Sequence, residues 1–345
     1  MKPLILVRFM FLVKYRWARP FVVFCFMICL VIITLLLNIK ALNIIFIPVF
    51  LFGIYNLVIE MWVALAFISP GNRKKEFKSV GWISKFHDLD SKIHSTSYFD
   101  NQIRPLVIII HGWRSSASSM LGRAENYINM GFHVIIFELP GHGKSQPVSK
   151  WTAGHASTTF NEFYENLSEN FDMELIDGIY FHGHSMGGFV LLRFDKLIRN
   201  NDPKIMGYVL ESPMTCYSLI FEESLRNLKI PKFAEKKFWN RLSAHFNEIN
   251  PKISNVTKIS DVDTPDWGII RNNCLVIQAK HDNRLGLDHY HRLIEHQQEV
   301  TGFNFQHHLI AGLTHAGARI NQDRNALIKL WFDELIDHSD SAKSA

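Results

Sequence analysis

The sequence predicts an α/β protein, a mostly parallel sheet with helices on both faces, carried behind a long apolar N-terminal segment. Three observations predict it. Short runs such as Leu106-Val107-Ile108-Ile109-Ile110 are apolar throughout rather than alternating, as strands buried on both faces are. These runs alternate with segments of helical periodicity, the signature of a sheet built from crossover units. Finally, Gly183-His184-Ser185-Met186-Gly187 sits between the apolar run Ile179-Tyr180-Phe181 and the helical pattern that begins at Phe189-Val190-Leu191-Leu192.

Length and charge narrow the class. The chain has 345 residues, enough for one large α/β domain and an additional segment. Its formal net charge is +5. That excess is local: no acidic residue precedes Glu60, whereas Lys2, Arg8, Lys14, Arg16, Arg19 and Lys40 do. The remainder is near neutral and offers no basic face to neutralise phosphates, so nucleic acid is not an expected partner. The 4 cysteines (Cys25, Cys29, Cys216, Cys274) show no zinc-site spacing and read as buried free thiols, compatible with a reducing compartment. No metal-ligand set and no dinucleotide fingerprint appears, so no cofactor is expected.

Residues 1–70 read as a membrane anchor. Residues 21–39 carry no charge and match the roughly 20 residues a helix needs to cross a bilayer. A second apolar run covers residues 43–68, interrupted by Pro48, Gly53, Asn56 and Glu60. Residues 38–43, with Lys40, suit the turn of a helical hairpin. Basic residues flank both outer ends, Lys14, Arg16 and Arg19 before it and Arg73, Lys74, Lys75 and Lys78 after it, which places both ends in the cytoplasm. The expectation is an integral membrane protein with two spans and a cytoplasmic catalytic domain. Two alternatives compete. The first run could be a signal peptide, with Ala64-Leu65-Ala66 as a cleavage-like site, although its apolar stretch is far longer than an ordinary h-region. Or one run spans while the other lies in the interface, which would put the catalytic domain on the opposite side.

Residues 71–345 form the α/β domain. Residues 72–104 are polar and mixed, a lead-in with one or two edge strands. Residues 106–110 are a buried strand, ending in His111-Gly112-Trp113. Residues 118–130 read as a helix and residues 133–137 as the next strand, followed by the turn-rich Glu138-Leu139-Pro140-Gly141-His142-Gly143-Lys144-Ser145. Residues 158–171 read as a helix. Then come the strand, turn and helix around Ser185, and strands at 207–211, 274–278 and 304–310. An amphipathic helix at 323–336 closes the pattern. Between residues 212 and 267 the alternation breaks: helical patterns at 218–229 and 234–246, rich in Phe and Lys, read as a cap inserted over the site.

The pentapeptide around Ser185 has the form G-x-S-x-G in the strand-to-helix context a nucleophile elbow requires. A sharp turn projects the serine oxygen, and flanking glycines let strand and helix pass closely. With His111-Gly112-Trp113 and the Leu139–Ser145 loop, Gly183-His184-Ser185-Met186-Gly187-Gly188 resembles the α/β-hydrolase superfamily, and most nearly its monoacylglycerol lipase and lysophospholipase-like serine hydrolases. The resemblance covers roughly residues 104–336 and leaves out the membrane segment. It implies the α/β-hydrolase fold and a catalytic triad in the order Ser, acid, His. The matching positions are Ser185, Asp282 after the strand ending near Gln278, and His315 after the last strand. It also implies an oxyanion hole from the backbone N–H groups of Met186 and Trp113. Glu138 departs from relatives that carry Asp before the Pro-Gly-His-Gly loop, without consequence for the chemistry. Glu211, at another strand end, is the rival acid. His182 and His184 flank Ser185 and read as packing residues, and His111 and His142 as loop hydrogen-bonders. The implied function is a membrane-anchored serine hydrolase acting on a carboxylic ester, with a monoacylglycerol or lysophospholipid as the expected substrate. A thioesterase, amidase, peptidase or acyltransferase on the same triad, or a non-catalytic hydrolase-like membrane module, is the alternative.

Overall fold

In the computed structural model the described residues are 14–37, 43–71, 77, 79–198, 202, 204–316 and 319–343. Lys2, Arg8, the expected hairpin turn with Lys40, and the basic flank Arg73, Lys74, Lys75 and Lys78 lie outside them. In chain order the first elements are α1 (Ala18–Leu37), α2 (Asn43–Ala66), β1 (Ile83–Asp88), β2 (Lys92–Tyr98), β3 (Arg104–Ile110), α3 (Ala117–Asn129), β4 (His133–Phe137) and α4 (Ala153–Glu165). There follow β5 (Ile176–His184), α5 (Met186–Leu197), β6 (Ile205–Glu211), α6 (Ser218–Asn227), α7 (Lys232–Ile249), β7 (Cys274–Ala279), α8 (Asp288–Gln297), β8 (Phe305–Ile310) and α9 (Gln322–Lys343).

Two compact units emerge. One comprises residues 70–147, 153–217 and 260–345. Among its described residues is one sheet of 8 strands in the order β1-β2-β4-β3-β5-β6-β7-β8. The β1–β2 hairpin joins it antiparallel, and β2 pairs antiparallel with β4. Every other pairing, from β4 across to β8, is parallel. The expected lead-in strands are thus the antiparallel edge of a mostly parallel sheet.

Alternation along the strands explains why both faces are covered. Val107 and Ile109 of β3, Val134 and Ile136 of β4 and Tyr180 of β5 share one core with Tyr127 of α3 and Trp331 and Phe332 of α9. Phe137 of β4 and Phe181 of β5 point the other way, into an aromatic cluster with Phe160 of α4 and Phe194 of α5, ring centroids 4.7–5.9 Å apart. Burying each such phenylalanine stabilises the fold by roughly 1.5–3 kcal/mol. Parallel strands put all their carboxyl ends on one edge, where the loops after β3, β5, β7 and β8 gather.

Two elements differ from the sequence reading. Helix α4 begins at Ala153 rather than near residue 158, and α8 is a helix for which the sequence reading had no element, although Tyr290, Leu293 and Ile294 form a short apolar stripe on its buried face.

The other unit comprises residues 1–69, 148–152 and 218–259, the apolar hairpin together with the inserted helices. Helices α1 and α2 are long and apolar enough to cross a membrane by length and composition. Within this unit the second half of α2 packs on α7. Glu60, only 4% exposed, forms an ion pair with Arg241, whose Nε lies 2.6 Å from its Oε1. Arg19 at the start of α1 pairs with Glu248. The Phe67 and His245 rings meet edge to face at 5.1 Å. Lys150 Nζ donates to His245 Nε2 at 2.8 Å, and burial holds that imidazole down to about 3, neutral and able to accept.

Candidate active site

Ser185 stands where β5 ends and α5 begins, with φ 54° and ψ −115°. That is left-handed backbone for a residue with a side chain, a conformation costing about 1–3 kcal/mol that only a tightly determined surrounding maintains. The glycines around it show how tight this one is. A methyl at Gly187 would lie 2.2 Å from the carbonyl oxygen of Ile110, and one at Gly183 would lie 2.7 Å from the backbone of Gly188. The turn is held from below as Ser185 N–H donates to the Glu211 carbonyl at 3.0 Å.

The loops after β7 and β8 bring in the other two expected side chains. His315 Nε2 lies 2.9 Å from Ser185 Oγ, and His315 Nδ1 lies 2.7 Å from Asp282 Oδ2. All three residues are buried. Asp282 is held from several sides: Oδ1 accepts from the N–H groups of Arg284 and Leu285 at 2.9 and 3.0 Å, and Oδ2 also accepts from Gln278 Nε2 at 3.0 Å. Burial alone would raise its pKa, but the hydrogen bonds from His315, Leu285 and Arg284 outweigh burial and hold the carboxyl well below the usual range. Asp282 is therefore an acceptor only. The proton of a neutral His315 must then sit on Nδ1, which leaves the Nε2 lone pair to accept the Ser185 hydroxyl hydrogen. This is the geometry in which an imidazole takes a proton from a serine as it attacks.

Glu211 is engaged elsewhere. Arg123 clasps its carboxylate with two hydrogen bonds, Nε to Oε2 at 2.7 Å and Nη2 to Oε1 at 2.5 Å. Arg324 Nη1 approaches at 3.6 Å and His182 Nε2 at 3.3 Å. Burial pushes its pKa up, but Arg123, His182 and Arg324 together bring it well below the usual range. Of the two candidate acids, Asp282 is the one placed against His315.

Trp113 follows the close approach of β3 to the turn: a methyl at Gly112 would lie 3.1 Å from Ser185 Cβ. Met186 is the first residue of α5, within the first turn, whose N–H groups lack intrahelical acceptors and point at any negative charge beside the helix start.

The histidines around the turn have distinct roles. His111 Nδ1 donates to the Gly112 carbonyl at 2.8 Å while its Nε2 accepts from Leu139 N–H at 3.2 Å. His142 Nδ1 donates to the Pro140 carbonyl at 3.0 Å. Both are the loop hydrogen bonds expected. His184 does more than pack: its Nε2–H donates to the backbone carbonyl of His315 at 2.8 Å. Burial and the nearby Arg123 hold its pKa down to about 3, so it is a neutral imidazole with its proton on Nε2. Sequence reasoning missed this contact, since the two residues are far apart in the chain. Glu138 was likewise underrated. It accepts from Ala117 N–H at 2.8 Å, from Lys144 N–H at 2.7 Å, and pairs with His94 Nδ1 at 2.8 Å, tying the loops after β3 and β4 together. Among the described residues, no three His, Cys, Asp or Glu side chains are grouped to hold a metal ion.

A mixed sheet covered on both faces, with a serine on a strained strand-to-helix turn at its carboxyl edge, defines an α/β-hydrolase. Residues 101–327 match the serine aminopeptidase S33 family, Hydrolase_4, and the chain belongs to that family. In sequence it is 33% identical over 118 residues to "Phospholipase YtpA" of Bacillus subtilis, a match covering 31% of this chain and 40% of that protein. It is 22% identical over 186 residues to "Protein phosphatase methylesterase 1" of Candida albicans, covering 52% of this chain and 51% of that one. The matches thus span about half or less of these relatives' own length. Among solved structures, the Pyrococcus furiosus esterase Pf2001 superposes with a TM-score of 0.56 at 17% identity, over 78% of this chain and 98% of its own. Est1E from Butyrivibrio proteoclasticus superposes with a TM-score of 0.53 at 17% identity, over 74% and 99%. At these identities the structural likeness is one of fold.

Proposed function

We propose that this protein is a membrane-anchored serine hydrolase that cleaves a carboxylic ester by an acyl-enzyme mechanism, with Ser185 as nucleophile, His315 as general base and acid, and Asp282 as the residue that orients and offsets the imidazolium. The observation that carries the reading is the unbroken run from Ser185 Oγ to His315 Nε2 at 2.9 Å and from His315 Nδ1 to Asp282 Oδ2 at 2.7 Å. Ser185 Oγ adds to the ester carbonyl carbon as its proton passes to His315 Nε2. The resulting oxyanion is stabilised by the backbone N–H groups of Met186 and Trp113. Collapse breaks the bond to the leaving alkoxide, which takes the proton from Nε2. Water repeats the sequence on the acyl-Ser185 ester and releases the acid. Loss of one oxyanion donor costs roughly 100- to 1000-fold in rate.

A lipidic ester, a monoacylglycerol or a lysophospholipid, is the proposed substrate. It is supported by the partial likeness to a phospholipase and by the two apolar helices, which would hold the enzyme where such substrates dissolve. Basic flanks at both ends of the hairpin favour a cytoplasmic catalytic domain. The family's description gives amide hydrolysis on the same triad as a second reading.

The test uses the full chain in detergent or vesicles with a fluorophosphonate probe and a panel of monoacylglycerols, lysophospholipids, thioesters and aminoacyl amides. The native protein labels and turns over an acyl ester; Ser185→Ala does neither, with turnover down by roughly 10⁶-fold. Equal labelling of that variant refutes the mechanism, and preference for aminoacyl amides over esters refutes the substrate class.

A further inference from the structure

Strand β7 is apolar from Cys274 to Ile277 and then buries a polar side chain, Gln278, which is 1% exposed. Leu275, Ile277 and Ala279 face the core that holds Tyr127 and Trp331, so Gln278 lies on the opposite face, one residue before the strand ends. A buried amide has to be bonded. Gln278 Nε2 donates to Asp282 Oδ2 at 3.0 Å and to the Ala279 carbonyl at 3.3 Å. Both partners are acceptors, which fixes the amide nitrogen, and not its oxygen, toward Asp282. Gln278 Oε1 meets no donor among the described residues.

Asp282 thereby accepts from two donors at each oxygen, which fills the lone-pair sites of the carboxylate. Oδ1 takes the N–H groups of Arg284 and Leu285, while Oδ2 takes His315 Nδ1 and Gln278 Nε2. The donors on Oδ1 belong to the backbone. Among the described residues, Gln278 is the side chain besides His315 that donates to this carboxylate, and it shares one oxygen with the imidazole. A donor placed there does two things. It holds the carboxylate plane toward His315, and it draws charge from the oxygen that faces the ring. Other charges leave this pair to itself. His184, its ring centroid 5.3 Å from that of His315, and His289 of α8 are kept neutral by burial. Arg123 and Glu211, the charges that act on His184, are paired with each other. His281 and Arg284, on the same loop as Asp282, are exposed.

We infer that Gln278 is a positioning residue for the triad: its amide steadies Asp282 Oδ2 against His315 and weakens the grip of that oxygen on the imidazolium, so that the imidazole is free to accept from Ser185 in more acidic solution. This rests on the serine-hydrolase reading above and adds to it the residue that sets where activity is lost on the acid side. The carboxylate would otherwise stabilise the imidazolium more strongly, as an unshared partner does.

The experiment is the pH dependence of kcat/KM for a soluble short-chain acyl ester, measured on the full chain in detergent for the native protein, Gln278→Met and Gln278→Asn. Methionine fills the same space without a donor. Asparagine keeps an amide but draws it back by about one carbon–carbon bond, roughly 1.5 Å. In both variants the acid limb of the profile lies about half to one pH unit above the native limb. On that limb turnover is therefore down about three- to tenfold, while on the plateau at higher pH it stays near native. Thermal unfolding moves little, because Asp282 keeps its other donors. Two variants are used so that one that folds poorly leaves the other to decide. An acid limb that stays in place or moves to lower pH overturns the inference. An even loss across the whole pH range also overturns it, since that marks a merely structural role. If the native protein shows no Ser185-dependent turnover, the hydrolase reading falls and this inference with it. Ser185-dependent turnover with unmoved limbs removes the role of Gln278 alone.

Discussion

The two carboxylates at the sheet's edge invite one paired experiment, Asp282→Asn beside Glu211→Gln. In Asp282→Asn the side-chain oxygen has one place to go. The N–H groups of Arg284 and Leu285 both point at the Oδ1 position, at 2.9 and 3.0 Å, and they need an acceptor. The new amide nitrogen therefore occupies the Oδ2 position, 2.7 Å from His315 Nδ1. Facing a donor, His315 Nδ1 must become the acceptor and its proton moves to Nε2, which can then no longer accept from Ser185. In a serine protease triad the same change lowers kcat about 10⁴-fold, or about 5.4 kcal/mol of barrier. The fold loses little: the amide keeps the two loop hydrogen bonds, and Gln278, whose Nε2 now donates to Oδ2 at 3.0 Å, turns its amide over so that its unpartnered Oε1 accepts from the new nitrogen. Glu211→Gln acts in the opposite way. The carboxylate is 1% exposed and is the counter-charge for Arg123 and Arg324, so neutralising it leaves two buried guanidinium groups without their partner. Breaking a buried pair costs about 3–5 kcal/mol, a fall in Tm of roughly 6–20 °C at about 2–4 °C per kcal/mol. The assays are ester turnover per folded molecule and thermal unfolding in detergent. The expected pattern is a dead but stable Asp282→Asn and an active but labile Glu211→Gln. A loss under tenfold in Asp282→Asn, or a loss of turnover without loss of stability in Glu211→Gln, refutes the assignment of the acid.

Three further outcomes follow from the same geometry. His184→Ala removes the N–H that positions the His315 carbonyl and should lower kcat about ten- to a hundredfold, the equivalent of a buried hydrogen bond of 1–3 kcal/mol; His184→Gln, which keeps a donor, restores most of it, and equal kcat in all three proteins would dismiss the role. Gly187→Ala sets a methyl 2.2 Å from a backbone oxygen and should abolish the folded protein, whereas Gly286→Ala, with open space at φ 74°, costs only the left-handed strain of about 1–2 kcal/mol; soluble yield and Tm tell them apart. His142, His184 and His289 are held by burial at about 3, 3 and 4, below the ordinary 6.5, so between those values the unfolded chain binds protons that the folded one refuses. Stability must therefore fall as pH drops below about 6.5, by up to about 1.4 kcal/mol per pH unit for each; denaturant midpoints that hold steady from pH 7 to 5 contradict this.

How much of this was legible in the sequence depends on whether a feature is local. The strands at 106–110 and 133–137 were, because burial on both faces leaves an unbroken apolar run. The turn around Ser185 was, because its glycines answer steric demands made within a few residues. Helix α8 was not. Its inward positions include His289, bonded to Thr215 N–H at 3.0 Å, and Gln297, which exchanges two hydrogen bonds with the Ile270 backbone. Polar side chains satisfied by distant backbone occupy the ends of the buried face and leave only Tyr290, Leu293 and Ile294 as its apolar part, a stripe too short to stand out in a 10-residue helix. Helix α4 hid its first turns for a different reason: Gly154, Ala156, Ser157 and Thr159 are buried there, residues too small to register as a hydrophobic face.

At the site, local spacing made the serine conspicuous, and the family order pointed to Asp282 and His315. What separates Asp282 from Glu211 is not local at all. Both stand at the carboxyl ends of strands on the same edge of the sheet, Glu211 as the last residue of β6 and Asp282 in the loop after β7, and both are depressed carboxylates. The difference is that α3 and α9 bring Arg123 and Arg324 onto Glu211, whereas the loop after β7 turns Asp282 toward His315 with two of its own N–H groups behind it. A buried carboxylate is committed by whichever cation or N–H reaches it first, and the elements that deliver those groups are the ones most distant in the chain. The same reasoning applies to Glu60, which in a linear reading is a charge stranded in an apolar run. Its partner Arg241 lies 181 residues away, and that pairing brings α7 onto the second half of α2.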